Sequence, residues 1–308
     1  MASLLVLAIA LVIDFAVGEP PRLIHPVVWM GRLISCLVGR VSACSSRVRF
    51  ACGCGITLLT VGAFAVPAYF LLSFLGNTSP VAYVIVGALL LKSTFSLREL
   101  CRVALGIKGL LENGKLDEAR SGLRALVSRD TTTLSKPLLV SAAVESTAES
   151  AGDSFVAPLF FFLLFGVPGA LAYRCVNTLD SMIGYHGEYE YLGKFPSRLD
   201  DGLNYIPARL TALLIVMAAF FSGRDGRRVW QVALADHGRT ESPNAGWPMA
   251  AAAGALGVQL DKVGQYQLGR MDNPLVPGTI GGAVKLVGVA AAFWMLVCYA
   301  VEVILLVY

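Results

Sequence analysis

Residues 52–75 run without a single charged side chain. A stretch of that length reaches the roughly 20 residues that cross the hydrocarbon core of a bilayer. No water meets backbone N–H and C=O groups there, so the segment must satisfy them itself, as a helix, or sit in a closed barrel. Its apolar residues do not alternate with polar ones as barrel strands do, which leaves the helix. Similar stretches recur at 2–17, 80–97 and 284–308, and charged residues make up 15% of the chain against roughly 25% in a soluble one. The expectation is an all-α fold: one integral membrane domain over 1–308, a polytopic helical bundle of four to six spans, with a polar cytoplasmic helical region over 97–154.

The ends of these spans need argument. Residues 2–17 carry only Asp14, and no Lys or Arg precedes Arg22, so a retained helix fits better than a signal peptide. Asp14 itself reads equally as facing the bundle interior or the membrane edge. The 80–97 span requires Lys92 to snorkel to the interface. Two segments are ambiguous: 155–173, uncharged but holding Pro158, Gly166, Pro168 and Gly169, and 203–222, with Pro207 and Arg209. The Lys/Arg-rich stretches 18–51 and 92–154 read as cytoplasmic. That charge rule is kept if both ambiguous segments span or if neither does. The second arrangement is preferred, because it leaves every polar motif on the cytoplasmic side, where nucleotides are.

Within 97–154, Leu97, Leu100, Ala104, Ile107 and Leu111 fall at helical spacing with charges between them. Asn113-Gly114 ends that pattern, and a second helix is expected from about Lys115 to Ser128. The cysteines form no C-x-x-C pair and the histidines no ligand spacing, so they read as packing residues and not as a zinc or redox site. No basic stripe interleaved with aromatics suggests nucleic acid.

Chemistry concentrates between Glu145 and Asp201, where carboxylates interrupt oily sequence, and ionisable groups beside a membrane are costly unless they bind something. Glu145, Glu149 and Asp153 are spaced by four, which puts three like charges on one helical face. A hard cation such as Mg²⁺ with bound phosphate would relieve them; the alternative is a solvated face. Tyr173-Arg174-x-x-Asn177-Thr178-Leu179-Asp180 lines up Arg, Asn and Asp at i, i+3 and i+6. It reads as an anion-binding ladder, or as a polar cap on the preceding helix. Arg198-Leu199-Asp200-Asp201-x-x-Asn204 is denser; Asp200 alone could be an N-cap. Arg209, inside apolar sequence, calls for an anionic partner. Ser242-Pro243-Asn244-Ala245-Gly246-Trp247 is a rigid turn that can present backbone N–H groups and Asn244 to a ligand. No Walker A, nucleophile elbow, H-E-x-x-H or G-x-G-x-x-G context is present.

In order, His25-Pro-Val…Met30-Gly31, Arg129-Asp130-Thr131, Glu145-Ser…Ala148-Glu149…Asp153, Asn177-Thr-Leu-Asp-Ser-Met-x-Gly-Tyr185, Arg198-Leu-Asp-Asp…Asn204…Pro207-Ala-Arg-Leu-Thr-Ala and Ser242-Pro-Asn-Ala-Gly-Trp resemble the adenosylcobinamide-phosphate synthase family of cobalamin biosynthesis. The resemblance runs over essentially the full length. It implies a multi-pass enzyme of the cell membrane, its active site facing the cytoplasm, that joins adenosylcobyric acid, a corrinoid, to an amino-alcohol phosphate, typically aminopropanol phosphate. ATP and Mg²⁺ would be used. The site it implies has Asp180, Asp200 and Asp201 as catalytic residues and Glu145, Glu149 and Asp153 on the metal. His25, Arg129, Tyr173, Arg174, Asn177, Tyr185, Arg198, Asn204, Arg209, Asn244 and Trp247 would contact substrate. Expected partners are the two substrates and the lipid bilayer, with other corrinoid-pathway membrane enzymes and a homo-oligomer left open, and no nucleic acid. Ser154, Met249 and Thr240-Glu241 depart from the family pattern, which touches the substrate contacts of the 240–249 loop. A membrane transporter and a non-catalytic scaffold for corrinoid enzymes are the rival readings; a transporter should show paired repeats, and the sequence has none.

Overall fold

The computed structural model describes residues 1–41, 45–127, 129–185, 187 and 189–307. Cys44, His186, Glu188 and the end of the helix expected to reach Ser128 fall outside them. Among these residues twelve α-helices follow one another: α1 Ala2–Ala16, α2 Pro26–Val38, α3 Ser46–Thr78, α4 Pro80–Lys92, α5 Leu97–Glu112, α6 Leu116–Leu123, α7 Lys136–Ala151, α8 Ala157–Ile183, α9 Lys194–Phe221, α10 Gly226–Asp236, α11 Gly246–Leu256 and α12 Pro277–Val307. A hairpin, β1 Gln259–Lys262 and β2 Tyr266–Gly269, stands before α12. Among the described residues, five helical stretches, 46–78, 80–112, 136–183, 194–221 and 277–307, are long and apolar enough to cross a membrane. This is the all-α architecture of a polytopic membrane protein. The ambiguous segment 155–173 lies inside one such stretch and 203–222 inside another but for its last residue, whereas α1 is a shorter apolar helix.

The chain divides into two compact units. The first comprises residues 1–96, 157–203 and 298–308; the second comprises 97–156 and 204–297.

In the first unit α1 packs on α4 and α3 on α8, with α2 lying against α3 and α8. Ile34, Ile56, Leu179, Ile183 and Leu192 form one apolar cluster of its core. Close approach explains two glycines there. A Cβ on Gly193 would lie 1.7 Å from the Ile183 carbonyl oxygen, and one on Gly53 would lie 2.1 Å from that of Leu192. α8 breaks where the sequence placed its Gly and Pro: Gly166 takes φ 67°, ψ −164°, outside helical space.

Lys92 does not snorkel. It is 2% exposed, and its Nζ lies 3.0 Å from Asp14 Oδ1 and 2.9 Å from Glu19 Oε1, with the Phe95 carbonyl at 3.1 Å. Asp14, 0% exposed, therefore faces the interior. An ammonium so deeply buried gains more from two carboxylates within reach than from a strained path to water. Burial alone would push the Glu19 carboxyl up, but hydrogen bonds from His25, Lys92 and Ser96 and the Lys92 charge outweigh it and hold the group at about 2.

In the second unit, Leu97, Leu100, Ala104, Ile107 and Leu111 are the buried residues of α5, the stripe that their spacing predicted. Gly114 ends it with φ +73°. α6 stops at Leu123, short of Ser128, and residues 124–126 continue as turns. α11 packs against α10 and α7 and closes at Gly257, which is left-handed with φ 65°. The hairpin pairs Leu260 with Leu268 and Lys262 with Tyr266. Leu260 and Leu268 are fully buried, and the Gly269 N–H donates to Asp236 Oδ2 at 2.7 Å.

Two outcomes follow. Lys92→Met leaves Asp14 buried without its cation and should cost roughly 3–5 kcal/mol, most of it recovered in Asp14→Asn/Lys92→Met; denaturant unfolding of the purified protein checks both. Because the folded carboxyl of Glu19 lies below its ordinary 4.5, its contribution is complete above that pH and is lost as pH falls toward about 2. The gap in melting temperature between wild type and Glu19→Gln should therefore shrink across that window; a constant gap contradicts it.

Candidate functional site

Each unit carries a polar face, built on α8 and α9 in the first and on α7 in the second. In the first unit, the last turns of α8 bring together two of the three ladder positions read from the sequence, Arg174 and Asn177, while Asp180 pairs elsewhere. Arg174 Nη1 donates to Asn177 Oδ1 at 3.3 Å, so the i, i+3 alignment holds. Asn177 Nδ2 in turn donates to Asp200 Oδ1 on α9 at 3.4 Å. Asn177 and Asp200 are buried, at 9% and 8% exposed. Thr178 and Ser181 turn back to the carbonyls of Arg174 and Asn177 and leave the face to its amide, guanidinium and carboxylate. Asp180 is hydrogen-bonded by the Ser197 hydroxyl. α9 begins at Lys194, so Asp200 and Asp201 sit inside the helix and the N-cap alternative falls away. Asp201 is half-buried, Arg198 exposed and Tyr185 exposed.

Two residues expected to contact substrate do other work in this unit. Tyr173 is 1% exposed and stacks on Phe161 at 5.1 Å, in an apolar cluster with Ala157. His25 caps α2: its Nδ1 accepts from Val27 N at 3.2 Å while Nε2 meets Glu19 Oε2 at 2.9 Å. Both ring nitrogens are committed, so the imidazole has none to offer a ligand.

In the second unit the face centres on Glu145 of α7, 4% exposed. Ser141 Oγ donates to Oε1 at 2.6 Å, and Tyr266 OH and Arg129 Nη2 donate to Oε2 at 3.0 and 3.2 Å. Burial, then the Glu145 charge and hydrogen bond and the Glu149 charge, raise the Tyr266 phenol above its ordinary 10, so it remains a donor. Glu149 is half-buried, and so is Asp153, which lies in a π-helical turn over Gly152–Val156. That loosened turn takes Asp153 off the straight i, i+4 ladder. Among the described residues no group of three His, Cys, Asp or Glu converges to hold a metal ion. Glu145 already accepts from three donors, one of them a cation, which leaves it little to offer a metal ion. Glu149 and Asp153 fit the looser demand of an ion that keeps waters and arrives on a phosphate.

A second cluster of this unit gathers around Trp247. The His237 ring stacks on it at 3.9 Å, and the Arg209 guanidinium lies 3.6 Å from the Tyr205 ring centroid and 5.1 Å from that of Trp247. Arg209 Nη1 donates to the Tyr205 carbonyl at 2.7 Å and to Asn244 Oδ1 at 3.3 Å. These partners are neutral. Aromatic faces and two oxygens of this kind suit a planar, weakly hydrated guanidinium. Burial and the Arg209 charge hold His237 below its ordinary 6.5, so it is neutral at pH 7. Trp247 is 7% exposed, a packing residue more than a cleft wall, while Asn244 and Asn204 are buried at 5% and 2%.

Sequence reasoning missed Tyr266, Ser141 and His237. Ser141 had a signal, since it stands four residues before Glu145 on the same face. Tyr266 had none, because strands of four residues carry little pattern. Met249, the departure in the 240–249 loop, sits with its sulfur 3.8 Å from the Tyr266 hydroxyl. An acid there would add a further negative charge beside Glu145.

The family model described as CobD/Cbib protein matches residues 7–287. A protein of Dehalococcoides mccartyi named cobalamin biosynthesis protein CobD is 51% identical over 301 residues, 98% of each chain. A probable cobalamin biosynthesis protein CobD of Methanothermobacter thermautotrophicus is 42% identical over 93% of each chain. A Geobacter metallireducens protein with the CobD name is 42% identical over 90% of this chain and 86% of its own. No solved structure matches the chain. With both polar faces falling inside the matched residues, likeness on this scale makes the chain a member of the CobD/Cbib protein family.

Proposed function

We propose that the protein works in cobalamin biosynthesis as a membrane-bound, ATP-dependent amide ligase, joining adenosylcobyric acid to an amino-alcohol phosphate such as aminopropanol phosphate. The observation that carries the reading is the 51% identity, over 98% of both chains, to a protein named for cobalamin biosynthesis. The polar faces support it, since each holds charged groups of the kind that such a reaction needs.

A carboxylate is a poor electrophile at neutral pH, and amide formation from it is uphill in water. In the proposed reaction the corrinoid carboxylate attacks the γ-phosphorus of ATP, giving an acyl phosphate and releasing ADP. The ammonium of the second substrate loses a proton, and the amine adds to the acyl carbon. The tetrahedral oxyanion collapses, expels inorganic phosphate and leaves the amide of adenosylcobinamide phosphate. The protein's share is electrostatic: it spreads the phosphate and oxyanion charge over fixed donors. Arg129, Arg174 and Arg198 are assigned to phosphates. Asp180, Asp200 or Asp201 takes the proton from the ammonium. The half-buried Asp201 of α9 and the Asn177–Asp200 contact give that step a choice of acceptors out of bulk water. Glu149 and Asp153 would hold Mg²⁺, which supplies charge neutralisation at the phosphates. The cell membrane is the proposed location, with the reaction on its cytoplasmic side, where ATP is found.

The test uses purified full-length protein and mass-spectrometric detection of adenosylcobinamide phosphate. Asp201→Asn and Glu149→Gln should each abolish product while membrane insertion and helical content stay as in wild type. Near-wild-type turnover in either variant removes that residue from the machinery; product from neither wild type nor variants, with all substrates supplied, removes the function.

A further inference from the structure

The Glu145 carboxylate is fixed from more directions than charge pairing needs. Ser141 Oγ accepts the Asp261 N–H at 2.7 Å and donates to Glu145 Oε1 at 2.6 Å, a much shorter contact than the 3.4 Å to the Asp261 carbonyl. Tyr266 reaches the other oxygen from β2. Two neutral donors, one from α7 and one from the hairpin, thus set the carboxylate plane, and only the third contact is a cation. That cation, Arg129, spends one Nη on Glu145, and its side chain is 21% exposed. Its Nε is shut off from solvent and meets no acceptor among the described residues. A buried donor without an acceptor costs free energy until something accepts from it. The fork of an arginine matches two oxygens of one phosphate.

We infer that Tyr266 and Ser141 are positioning residues, and that they hold Glu145 so that it aims the Arg129 guanidinium at a phosphate oxyanion of substrate. This gives Glu145 the work of an orienting group. The inference rests on the proposed function for its phosphate-bearing ligands, the nucleotide and the amino-alcohol phosphate, and the chemistry at Arg129 is common to both. Glu149 stands one turn beyond Glu145 on α7 and adds a second negative charge to this face, so a nucleotide is expected here as its magnesium complex and an amino-alcohol phosphate with its own ammonium.

The test measures binding of Mg²⁺-ATP and of aminopropanol phosphate, separately, to full-length protein in lipid nanodiscs. Arg129→Ala should weaken one of the two at least about tenfold, and that ligand identifies the phosphate. Tyr266→Phe, which keeps the ring, should weaken the same ligand about fivefold and leave the other unchanged. Ser141→Ala should act in the same direction. In the Arg129→Ala background Tyr266→Phe should add nothing, because its effect passes through the arginine; a merely structural tyrosine would add its full effect there. Unchanged affinities in Tyr266→Phe and Ser141→Ala, or full additivity with Arg129→Ala, overturn the inference and leave the proposed function standing. Wild-type protein that binds neither ligand overturns both.

Discussion

A charge taken out of water must be met, and in this protein that requirement decides which residues come together. Lys92, between Asp14 and Glu19, ties the ends of α1 and α4 to the stretch leading into α2. Glu145, between Arg129, Ser141 and Tyr266, ties α7 to the hairpin. In both cases removing one member would strand the other in a medium that penalises it. Helices that are oily on most faces have little else to fix their register, so these few polar contacts specify the arrangement as well as stabilise it.

The two networks differ in what they leave over. Around Lys92 the ammonium takes two carboxylates and a carbonyl, and His25 spends both nitrogens on Glu19 and a helix cap. The group is closed upon itself and reads as structure. Around Glu145 the neutral donors already fix the carboxylate, and the guanidinium still has a buried N–H to give. The Arg174–Asn177–Asp200 chain is intermediate: its bonds, at 3.3 and 3.4 Å, are long enough to exchange for stronger ones to a charged ligand.

Much of this was legible in the sequence. Uncharged runs gave the long apolar helices, though not α2, α10 or α11, and the five-residue stripe of α5 was read correctly; Gly166, one of the residues that made 155–173 ambiguous, is where α8 breaks. The Arg174–Asn177 ladder followed from helical spacing alone. What could not be read depended on partners distant in the chain. Lys92 looked like a snorkelling lysine because Asp14 and Glu19 lie more than seventy positions away. Tyr266 sits in a strand too short to announce itself, 121 positions from the glutamate it holds. His25 stood inside a matching motif block and Tyr173 shortly before one, yet the first caps a helix and the second fills the core; a motif identifies a place without saying which of its residues face a ligand. The three-carboxylate metal set came from an ideal i, i+4 ladder that a π turn interrupts at Gly152–Val156.

The most direct test of the account is the coupling between ATP consumption and the two other substrates in the purified protein. Release of ADP and inorganic phosphate that rises only when adenosylcobyric acid and aminopropanol phosphate are both present, one of each per amide formed, is the predicted result. ATP hydrolysis indifferent to either compound, or corrinoid accumulated inside vesicles without a new amide bond, would contradict it.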